Sequence, residues 1–307
     1  MDLNQSLNSI QLYPEFIRHT QVASFQDYAE CRRIMQAASK NYSFASKVLP
    51  ASKLAHVEAL YALMRVGDDR VDVSHTGFQT PLEAIDHWEA AYWDAFGTGD
   101  SSEPVMRAYL DTAIRFQIPA DIMGAYFRAM RDDLTITRFP SFADLYRYME
   151  GSAIPVGRAM THILGILPPY RLDDVLPGAD ALAVAMQLSN FWRDIGYDWS
   201  IGRVYIPLED MARFGVSEEA LRRQRIDQCF IDLLEFEMQR TEEYYAAARG
   251  SVRMLASGQW AVMGALEIYH AILPGIRHNA FDVFSQRAGA SKLDRIRLTI
   301  KAFWEIL

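Results

Sequence analysis

The sequence predicts a single all-α domain. Three observations, on size, on residue types and on the breaks between segments, lead to that prediction. The chain has 307 residues, half of them hydrophobic, which is enough to bury a large core. Residues that favour helices, such as Ala, Leu, Met, Arg and Glu, are common, whereas runs of alternating β-branched residues are hard to find. No break between segments is long enough for a flexible linker. We therefore expect one domain over residues 1–307, with residues 1–20 poorly ordered.

Proline and glycine divide the first half of the chain. Leu49-Pro50-Ala51-Ser52 reads as a stop followed by Ser52 as the cap of a new helix. Residues 54–66 read as the largely buried part of that helix. Residues 97–104 read as a loop, and Pro104 is placed to start the next helix.

The second half carries similar signals. Ser141 followed by Asp144 is a variant of the capping box, which predicts a helix through Met149 and beyond. Further breaks are predicted at Pro168-Pro169, where a helix ends, at Pro177-Gly178, before the apolar segment 179–195, and at 202–207, before the C-terminal helices.

Charge and composition exclude several classes of function. The formal net charge is −8 and the 31 basic residues are dispersed, which argues against a nucleic-acid surface. The two cysteines, Cys31 and Cys229, are far apart, and the seven histidines form no ligand-spaced cluster, so neither a disulfide framework nor a zinc hydrolase is indicated. The N-terminus lacks the pattern of a signal peptide, and no apolar stretch approaches membrane-spanning length. We expect a cytoplasmic protein.

A first polar stripe lies on the helix that contains residues 54–66. Tyr61, Arg65, Asp68 and Asp72 stand at offsets of 0, 4, 7 and 11, positions that share nearly one helical face. The two aspartates lie about one turn apart, the reach needed to hold a hard divalent ion. Two other interpretations stay open: a solvated helix face, or a new helix that Asp68 begins as its cap after Gly67.

A second polar stripe follows in the apolar segment near residue 190. Gln187, Asn190, Asp194 and Asp198 stand at offsets of 0, 3, 7 and 11, so this segment also ends in an Asp-x-x-x-Asp pair. Two such stripes with apolar flanks arise by chance less often than one, because isolated acids are costly to bury.

If the two helices face each other, four carboxylates converge and require cations between them. Mg²⁺ fits, because it prefers oxygen ligands and commonly bridges a carboxylate to a substrate phosphate. Arg65, Arg193 and Arg203, in or just after the stripes, then suit diphosphate oxygens. The alternative for these arginines is pairing with neighbouring aspartates, which contributes little at a surface.

The motifs resemble those of a known family. The strongest similarity lies in residues 61–72, 187–198 and 202–207, and weaker similarity in residues 44–50, 130–135, 148–157, 269–273 and 282–287. On these segments the chain resembles the squalene and phytoene synthases, head-to-head prenyl transferases of the isoprenoid-synthase fold, and most of all bacterial phytoene synthases. The resemblance implies a helical bundle around a central cavity.

The resemblance also implies a two-step reaction. One prenyl diphosphate ionises, its allylic cation is captured by the double bond of a second molecule, and the resulting cyclopropylcarbinyl diphosphate ionises and rearranges to a 1-1′ linkage. Two geranylgeranyl diphosphates would give phytoene. Mg²⁺ is the implied cofactor, Mn²⁺ a possible substitute, and no NADPH is expected. The hydrophobic product makes transient contact with a membrane surface an expectation, whereas the sequence leaves the oligomeric state open.

Residue roles are carried over from the family to matching positions. The implied metal ligands are Asp68, Asp72, Asn190, Asp194 and Asp198, and these aspartates act in catalysis together with Tyr61 and Tyr269. The implied substrate-binding residues are Asn41, Tyr42, Arg65, Tyr148, Gln187, Asn190, Arg193, Arg203 and Tyr205. Aromatic faces at Phe44, Phe191 and Trp192 either stabilise passing positive charge or are plain core.

Three departures from the family pattern leave the product open. Asn41-Tyr42 stands where the family often has Ser-Phe, Gly196-Tyr197-Asp198 where it often has Gly-Glu-Asp, and residues 152–157 differ from its usual segment. An enzyme that makes a C30 product (dehydrosqualene, presqualene diphosphate or hydroxysqualene) is therefore the first alternative. A catalytically inactive relative that acts as an assembly factor is the second, and the retention of all four aspartates speaks against it.

Overall fold

A computed structural model describes residues 22–38, 49–72 and 77–306, without the side chains of Asp72, Lys292, Ile296 and Glu305. The N-terminal residues 1–20 and the predicted site residues Asn41 and Tyr42 lie outside this part of the chain, as does Phe44. Within it the regular secondary structure is helical, with isolated β-bridges between Arg138 and Val204 and between Ile166 and Leu255. The predicted all-α class is confirmed.

The helices belong to two compact units, and the prediction of one domain stays a prediction. The helices of the first unit are α1 (Phe25–Ala38), α2 (Ala51–Asp72), α3 (Pro81–Thr98) and α4 (Pro104–Phe116). Those of the second unit are α5 (Ile122–Asp132), α6 (Phe142–Ser152), α7 (Ile154–Leu164), α8 (Leu172–Arg193), α9 (Ile195–Ser200), α10 (Leu208–Arg213), α11 (Glu218–Arg222), α12 (Gln228–Val252), α13 (Gln259–His270), α14 (Ile272–His278) and α15 (Lys292–Ile306).

The core of the first unit forms where α2 packs against the other three helices. Leu60 and Leu63 of α2 are fully buried, and the Trp88 indole of α3 donates a 3.1 Å hydrogen bond to the Leu63 carbonyl. The Arg70 guanidinium lies 4.7 Å from the Trp88 ring centroid. These contacts fix the rotation of α2, and therefore which way its polar stripe faces within the unit.

Helix α2 runs without interruption through Gly67 to Asp72. Asp68 lies inside the helix, so the alternative in which it begins a new helix as a cap is wrong. The expected cap at Ser52 is also wrong, because the helix begins at Ala51 and places Ser52 in its first turn. The stripe geometry expected for α2 therefore holds for its backbone.

Other predicted boundaries hold or move by a few residues. Helix α4 starts at Pro104, and Ser141 and Asp144 form the capping box of α6, with a 3.2 Å bond from the Asp144 N–H to the Ser141 hydroxyl. The helix expected to end at Pro168-Pro169 ends earlier, at Leu164, because Gly165 adopts a φ of 75° that stops it.

The break expected at Pro177-Gly178 is wrong, since both residues lie inside α8. The helix begins at Leu172, so Pro177 falls in its second turn and removes one backbone bond without ending it. Gly178 is needed for packing: a Cβ there would lie 1.9 Å from the Ser251 hydroxyl oxygen of α12. The pairing of α8 with α12 is the most extensive helix contact of the second unit and forms its core.

None of the helices in the described residues is both long and apolar enough to cross a membrane.

Candidate active site

The α2 stripe presents its charged residues at a partly exposed surface of the first unit. Arg65 pairs with Asp69 one turn further on, with 2.5 Å between Nη2 and Oδ1, and both side chains are more than a third exposed. This is the local pairing that we considered as the alternative to diphosphate binding. Tyr61 and Asp68 are half-buried on the same helix. The Asp72 backbone ends the helix, and its side chain lies outside the described part.

The second stripe does not lie on one helix, contrary to the prediction. Helix α8 ends at Arg193, and α9 begins at Ile195, so Asp194 is the residue at which the backbone turns. The one-turn spacing survives, because the Asp194 N–H donates to the Asn190 carbonyl (2.9 Å) and the Asp198 N–H to the Asp194 carbonyl (2.8 Å). The two carboxylates thus remain one turn apart on either side of a break.

Gly196 lets a distant segment of the chain lie against this turn. A Cβ at this position would lie 2.8 Å from the Phe284 Cα and 2.9 Å from the Val283 carbonyl oxygen. The Gly196 N–H donates to that same carbonyl at 3.3 Å. The glycine therefore lets the segment before Arg287 lie directly against α9, which brings that arginine to Asp194.

Asp194 receives two guanidinium groups. Arg193 donates from Nε (2.9 Å) and Nη2 (2.5 Å), and Arg287 donates from Nε (2.9 Å) and Nη2 (3.0 Å), so each carboxylate oxygen accepts from both arginines. Burial acts to raise the pKa of the Asp194 carboxyl, but the hydrogen bonds and charges of Arg193 and Arg287 outweigh it and hold this pKa below its usual value. Asp194 is therefore ionised.

Asp198 has the opposite electrostatic setting. Burial, followed by the negative charge of Asp194, raises the pKa of Asp198 to about 7, against the opposing influence of Arg203, Arg193 and Arg287. Two neighbouring carboxylates thus differ in charge near neutral pH. This is the electrostatic signature of a place that favours an additional cation.

Arg203 and Tyr205 follow the predicted break at residues 202–207. The Arg203 backbone N–H donates to the Asp198 carbonyl at 2.8 Å, and its guanidinium donates to the Asp133 carbonyl (3.2 Å) and the Tyr205 hydroxyl (3.4 Å). Burial, followed by the charge of Asp133, raises the pKa of Tyr205 to about 12. Burial and Asp133 also raise the pKa of Tyr148 well above its usual value. Both phenols therefore stay protonated.

Aromatic rings form the wall beside these polar groups. The Tyr205 ring stacks on Phe191 with 3.9 Å between centroids and on Phe139 with 5.7 Å, and Tyr148 lies 5.2 Å from Phe139. A small cleft opens next to them, lined among others by Phe191, Ile195, Asp198, Trp199, Arg203 and Tyr205. The second unit therefore places acidic, basic and aromatic groups at one cleft.

The structure also places the remaining predicted residues of the second unit. Gln187 and Asn190 are half-buried on α8. Tyr269 on α13 lies close enough to Arg287 to contribute to the raised pKa of that arginine, after the Asp194 hydrogen bond and charge. Trp192, in contrast, is fully buried and donates from its indole to the Thr241 hydroxyl at 2.8 Å, which places it in the α8–α12 core.

Three residues that contact the predicted site were given no role from the sequence. Arg287 donates hydrogen bonds to Asp194, and Phe139 stacks on Tyr205. The charge of Asp133 raises the pKa values of Tyr148 and Tyr205. Asp133 and Arg287 lie in segments that have weaker similarity to the family. That similarity was the sequence signal that could have identified them. Their roles depend on tertiary contacts, which neither spacing nor residue type could show.

The donor groups of the second stripe fit a hard divalent ion. Carboxylate oxygens are the ligands that Mg²⁺ prefers, and a cation near Asp194 and Asp198 would relieve the repulsion that raises the pKa of Asp198. Among the side chains that the structure describes, no three His, Cys, Asp or Glu groups lie close enough to hold a metal ion. The predicted ligand set, which includes Asp72, stays a prediction, as does the meeting of the two stripes.

Comparison with known proteins agrees with this fold. The model of the squalene/phytoene synthase family matches residues 35–294. A phytoene synthase of Arthrospira platensis is 31% identical over 289 residues, which covers 91% of this chain and 93% of the relative. A 15-cis-phytoene synthase of Synechococcus elongatus is 30% identical over 288 residues, with the same coverage of 91% and 93%.

Solved structures give the same result. The crystal structure of a dehydrosqualene synthase in complex with ligand has a TM-score of 0.82 at 25% identity and covers 92% of this chain and 96% of that chain. Squalene synthase HpnC from Alicyclobacillus acidocaldarius has a TM-score of 0.75 at 27% identity, with coverage of 84% and 95%. The fold is therefore that of the all-α isoprenoid synthases.

Fold and family together define a prenyltransferase of the head-to-head type. The chain belongs to the squalene/phytoene synthase family, whose model covers most of its length, and this confirms the predicted family. The family and its relatives make the chain a prenyltransferase of the phytoene synthase type that condenses prenyl diphosphates.

Proposed function

We propose that this chain joins two molecules of geranylgeranyl diphosphate to form phytoene in a Mg²⁺-dependent reaction. The observation that carries the proposal is the grouping of Asp194, Asp198, Arg193, Arg203 and Arg287, which offers ligands for a cation and donors for diphosphate at one place. The choice of substrate is supported by the curated relatives, which are phytoene synthases that this chain matches over nine-tenths of its length.

The proposed reaction releases one diphosphate and one proton in each of two steps. In the first step the C1–O bond of one substrate breaks, and the double bond of the second attacks that carbon, so that a cyclopropylcarbinyl diphosphate forms after proton loss. In the second step this C40 diphosphate ionises, rearranges to a 1-1′ bond and loses a proton. Negative charge grows on the departing diphosphate in both steps, so both need the same cationic groups.

The ion would be held by Asp68, Asp72, Asn190, Asp194 and Asp198, with Mn²⁺ as a possible substitute. When bound, it supplies Lewis-acid neutralisation of the leaving diphosphate.

The guanidinium groups of Arg193 and Arg287 are directed at Asp194 by four hydrogen bonds. Where Asp194 binds a cation, part of these bonds must be given up, which frees donors suited to bidentate binding of phosphate oxygens. Arg65 and Arg203 are the further diphosphate donors of the proposal.

Aromatic side chains protect the cationic intermediates in the proposal. Phe191 and Tyr205 stack on each other and line the cleft together with Asp198, so they form an apolar wall that excludes water from a carbocation. Tyr148 and Tyr205 are neutral phenols at physiological pH, as a tyrosine with the ordinary pKa of 10.0 already is, and burial raises both pKa values further, so no phenolate is available to trap a carbocation. Tyr61 and Tyr269 are proposed to line the same reaction cavity.

Product analysis tests the proposal. The purified chain is incubated with C20 or C15 prenyl diphosphate, Mg²⁺ and no nicotinamide, and the hydrocarbons are separated by chromatography with mass detection. We expect a C40 hydrocarbon from the C20 substrate, loss of turnover in EDTA, and recovery on addition of Mg²⁺ or Mn²⁺. Turnover of the C15 substrate alone, or turnover unaffected by EDTA, contradicts the proposal.

A C30 product is the second candidate. The similarity of the fold to a dehydrosqualene synthase favours it, since the matched region covers 92% of this chain and 96% of the dehydrosqualene synthase chain at a TM-score of 0.82. The same incubation separates the candidates, because C15 substrate then gives dehydrosqualene, presqualene diphosphate or hydroxysqualene. An inactive relative would show neither product nor Mg²⁺-dependent binding of diphosphate by calorimetry.

A further inference from the structure

The chain that joins α5 to α6 lies beside the segment of residues 202–208. The Val204 N–H donates to the Thr137 carbonyl at 2.9 Å, and Arg138 and Val204 form an isolated parallel β-bridge. The same segment holds Arg203, which is one of the proposed diphosphate donors. The backbone at residue 138 is therefore a direct neighbour of a segment that carries part of the candidate site.

The Arg138 guanidinium connects this segment to α11. Its Nη1 donates to the carbonyls of Gly202 (2.7 Å) and Thr137 (2.8 Å). Its Nε and Nη2 donate to the two carboxylate oxygens of Glu218, at 2.8 Å and 2.9 Å. The guanidinium carbon lies 5.8 Å from the centroid of the Trp199 ring. One side chain thus ties the turn after α9 to the first residue of α11.

The peptide unit between Gly202 and Arg203 is held from both sides. Its N–H donates to the Asp198 carbonyl at 2.8 Å, and its carbonyl accepts the 2.7 Å bond from Arg138. Because a peptide unit is planar, these two bonds fix its orientation, and with it the direction in which the Arg203 side chain leaves the backbone. Gly202 adopts a φ of 83°, and a glycine restricts the backbone least, so the bond from Arg138 supplies a restraint that the turn itself lacks.

We infer that Arg138 is a positioning residue, which holds the Arg203 guanidinium at the cleft for binding of substrate diphosphate. The inference rests on the proposed function, in which Arg203 is a diphosphate donor. Arg138 acts through the Gly202–Arg203 peptide unit rather than by contact with the substrate. The alternative role for Arg138 is that of an ion pair that stabilises the fold alone, and kinetics separate the two roles.

A double-mutant cycle in the full chain tests this role. Arg138→Gln and Arg203→Gln are made singly and together, and the substrate is whichever of the C15 and C20 prenyl diphosphates is turned over. We expect Arg203→Gln to raise the KM at least about tenfold and Arg138→Gln to raise it about fivefold, while kcat changes less than about threefold. In the Arg203→Gln background, Arg138→Gln should raise the KM less than about twofold, because the guanidinium that it positions is gone.

Arg277→Gln is the matched control. Arg277 also binds a glutamate, Glu235, through Nε and Nη2, and the exposed fractions of these two side chains, 38% and 40%, are close to the 28% and 43% of Arg138 and Glu218. The control should keep KM and kcat within about twofold. If Arg138→Gln alters the circular dichroism spectrum, Glu218→Ala takes its place in the cycle. It removes the carboxylate that orients the guanidinium and should raise the KM about threefold, again only while Arg203 is present.

The cycle also distinguishes failure of this inference from failure of the proposed function. If Arg138→Gln raises the KM by the same factor with and without Arg203→Gln, Arg138 does not act through Arg203 and the inference is overturned, while the proposed function stands. Equal kinetics of the Arg138 and Arg277 variants would overturn it as well. A KM unchanged by Arg203→Gln would instead overturn the proposed role of Arg203, and the inference with it.

Discussion

The two Asp-x-x-x-Asp motifs have the same spacing but different structural settings. On α2 the motif lies on a continuous helix, and Arg65 is paired with Asp69 one turn away at a partly exposed surface. At the junction of α8 and α9 the helix breaks at Asp194, and that carboxylate is bound by an arginine 93 positions further along the chain. The first motif is thus organised by local bonds, and the second by tertiary contacts.

This difference matters for how each motif responds to substitution. Local pairs on a helix surface contribute a few tenths of a kcal/mol. Charges that are partly buried and bound in bidentate fashion cost several kcal/mol when one partner is removed. We therefore expect the α8–α9 motif to be sensitive in both stability and activity, and the α2 motif to be sensitive in activity alone.

The largest effect is expected for Asp194→Asn. The substitution leaves two guanidinium groups without their anionic partner and removes a proposed ligand, so we expect activity to fall by about 10³-fold, the range for loss of a main electrostatic group at a reacting centre. Steady-state turnover of prenyl diphosphate at saturating Mg²⁺ measures it.

Asp180→Asn is the control for that substitution. Asp180 also lies on α8 and accepts two hydrogen bonds from one arginine, Arg158, and its side chain is 16% exposed, close to the 17% of Asp194. Its variant should keep activity within about twofold, because Asp180 is neither a proposed metal ligand nor a partner of a proposed diphosphate donor. Similar losses of activity in the Asp180 and Asp194 variants would show that activity falls whenever an ion pair of α8 is removed. Asp194 would then have no special role.

The next effect is expected for Arg287→Gln, which removes one of the two guanidinium groups on Asp194. We expect turnover to fall about 10- to 100-fold, because a charge-assisted bidentate pair is lost at a half-buried carboxylate. Arg277→Gln is the matched control, since Arg277 binds Glu235 in the same bidentate manner at a surface site. Equal activities of the two variants would contradict a role for Arg287 in the site.

The same contrast explains how much the sequence predicted. Spacing alone places Tyr61, Arg65 and Asp68 on one face of α2, because that helix is regular and the geometry follows from its period. Spacing also predicted the one-turn separation of Asp194 from Asp198, but not the break between them. At the break the Val283–Phe284 backbone packs against Gly196, a contact between residues almost ninety positions apart that spacing cannot show.

Packing produced the error at Pro177-Gly178 and separates two adjacent aromatic residues. The sequence signal of Pro177-Gly178 is that of a break, yet the α8–α12 contact requires a residue without a side chain at Gly178 and carries the helix through Pro177. Trp192 and Phe191 are adjacent aromatic residues with no sequence feature to separate them. Only the fold shows that Trp192 is core, while Phe191 lines the cleft.

Glu237 shows that burial raises the pKa of a carboxyl that does not belong to the site. This residue of α12 lies outside both motifs, and burial, partly offset by the charge of Arg240, raises its pKa to about 8. Burial is also the main cause of the raised pKa of Asp198. A raised pKa alone therefore does not identify a site residue, and Glu237→Gln should change stability without changing activity.

The expected pH dependence follows from the sign of that shift. The unfolded chain releases the Glu237 proton near its ordinary pKa of 4.5, whereas the folded chain keeps it to about pH 8, so the free energy of unfolding falls as the pH rises between these values. Glu237→Gln mimics the protonated form and should remove a loss on the order of 3 kcal/mol between pH 5 and 8. Urea denaturation at several pH values measures it.

Glu267→Gln is the opposite control, because burial acts to raise the pKa of Glu267 but Lys301 and Arg249 outweigh it and hold this pKa below its usual value. The carboxylate form stabilises the fold above the unfolded pKa, and this contribution is lost as the pH falls. At neutral pH the Glu267→Gln variant should have a lower free energy of unfolding than the unaltered chain. As the pH falls, it should not show the further decrease that protonation of the Glu267 carboxylate causes. An unchanged pH slope in Glu237→Gln would contradict the assignment of the proton.

The smallest effect on stability is expected at α2, where it decides between two roles for Arg65. Asp69→Asn and Arg65→Gln each remove the same exposed ion pair, so each should lower the free energy of unfolding by only about 0.3–0.5 kcal/mol. If Arg65 serves only in that pair, the two variants should also be equally active. If Arg65 binds diphosphate, Arg65→Gln should raise the KM for prenyl diphosphate at least about tenfold, while Asp69→Asn leaves it unchanged or lowers it, because the guanidinium is released from its local partner. Equal KM values in the two variants would leave the α2 arginine as a helix-surface residue and restrict diphosphate binding to the arginines of the second unit.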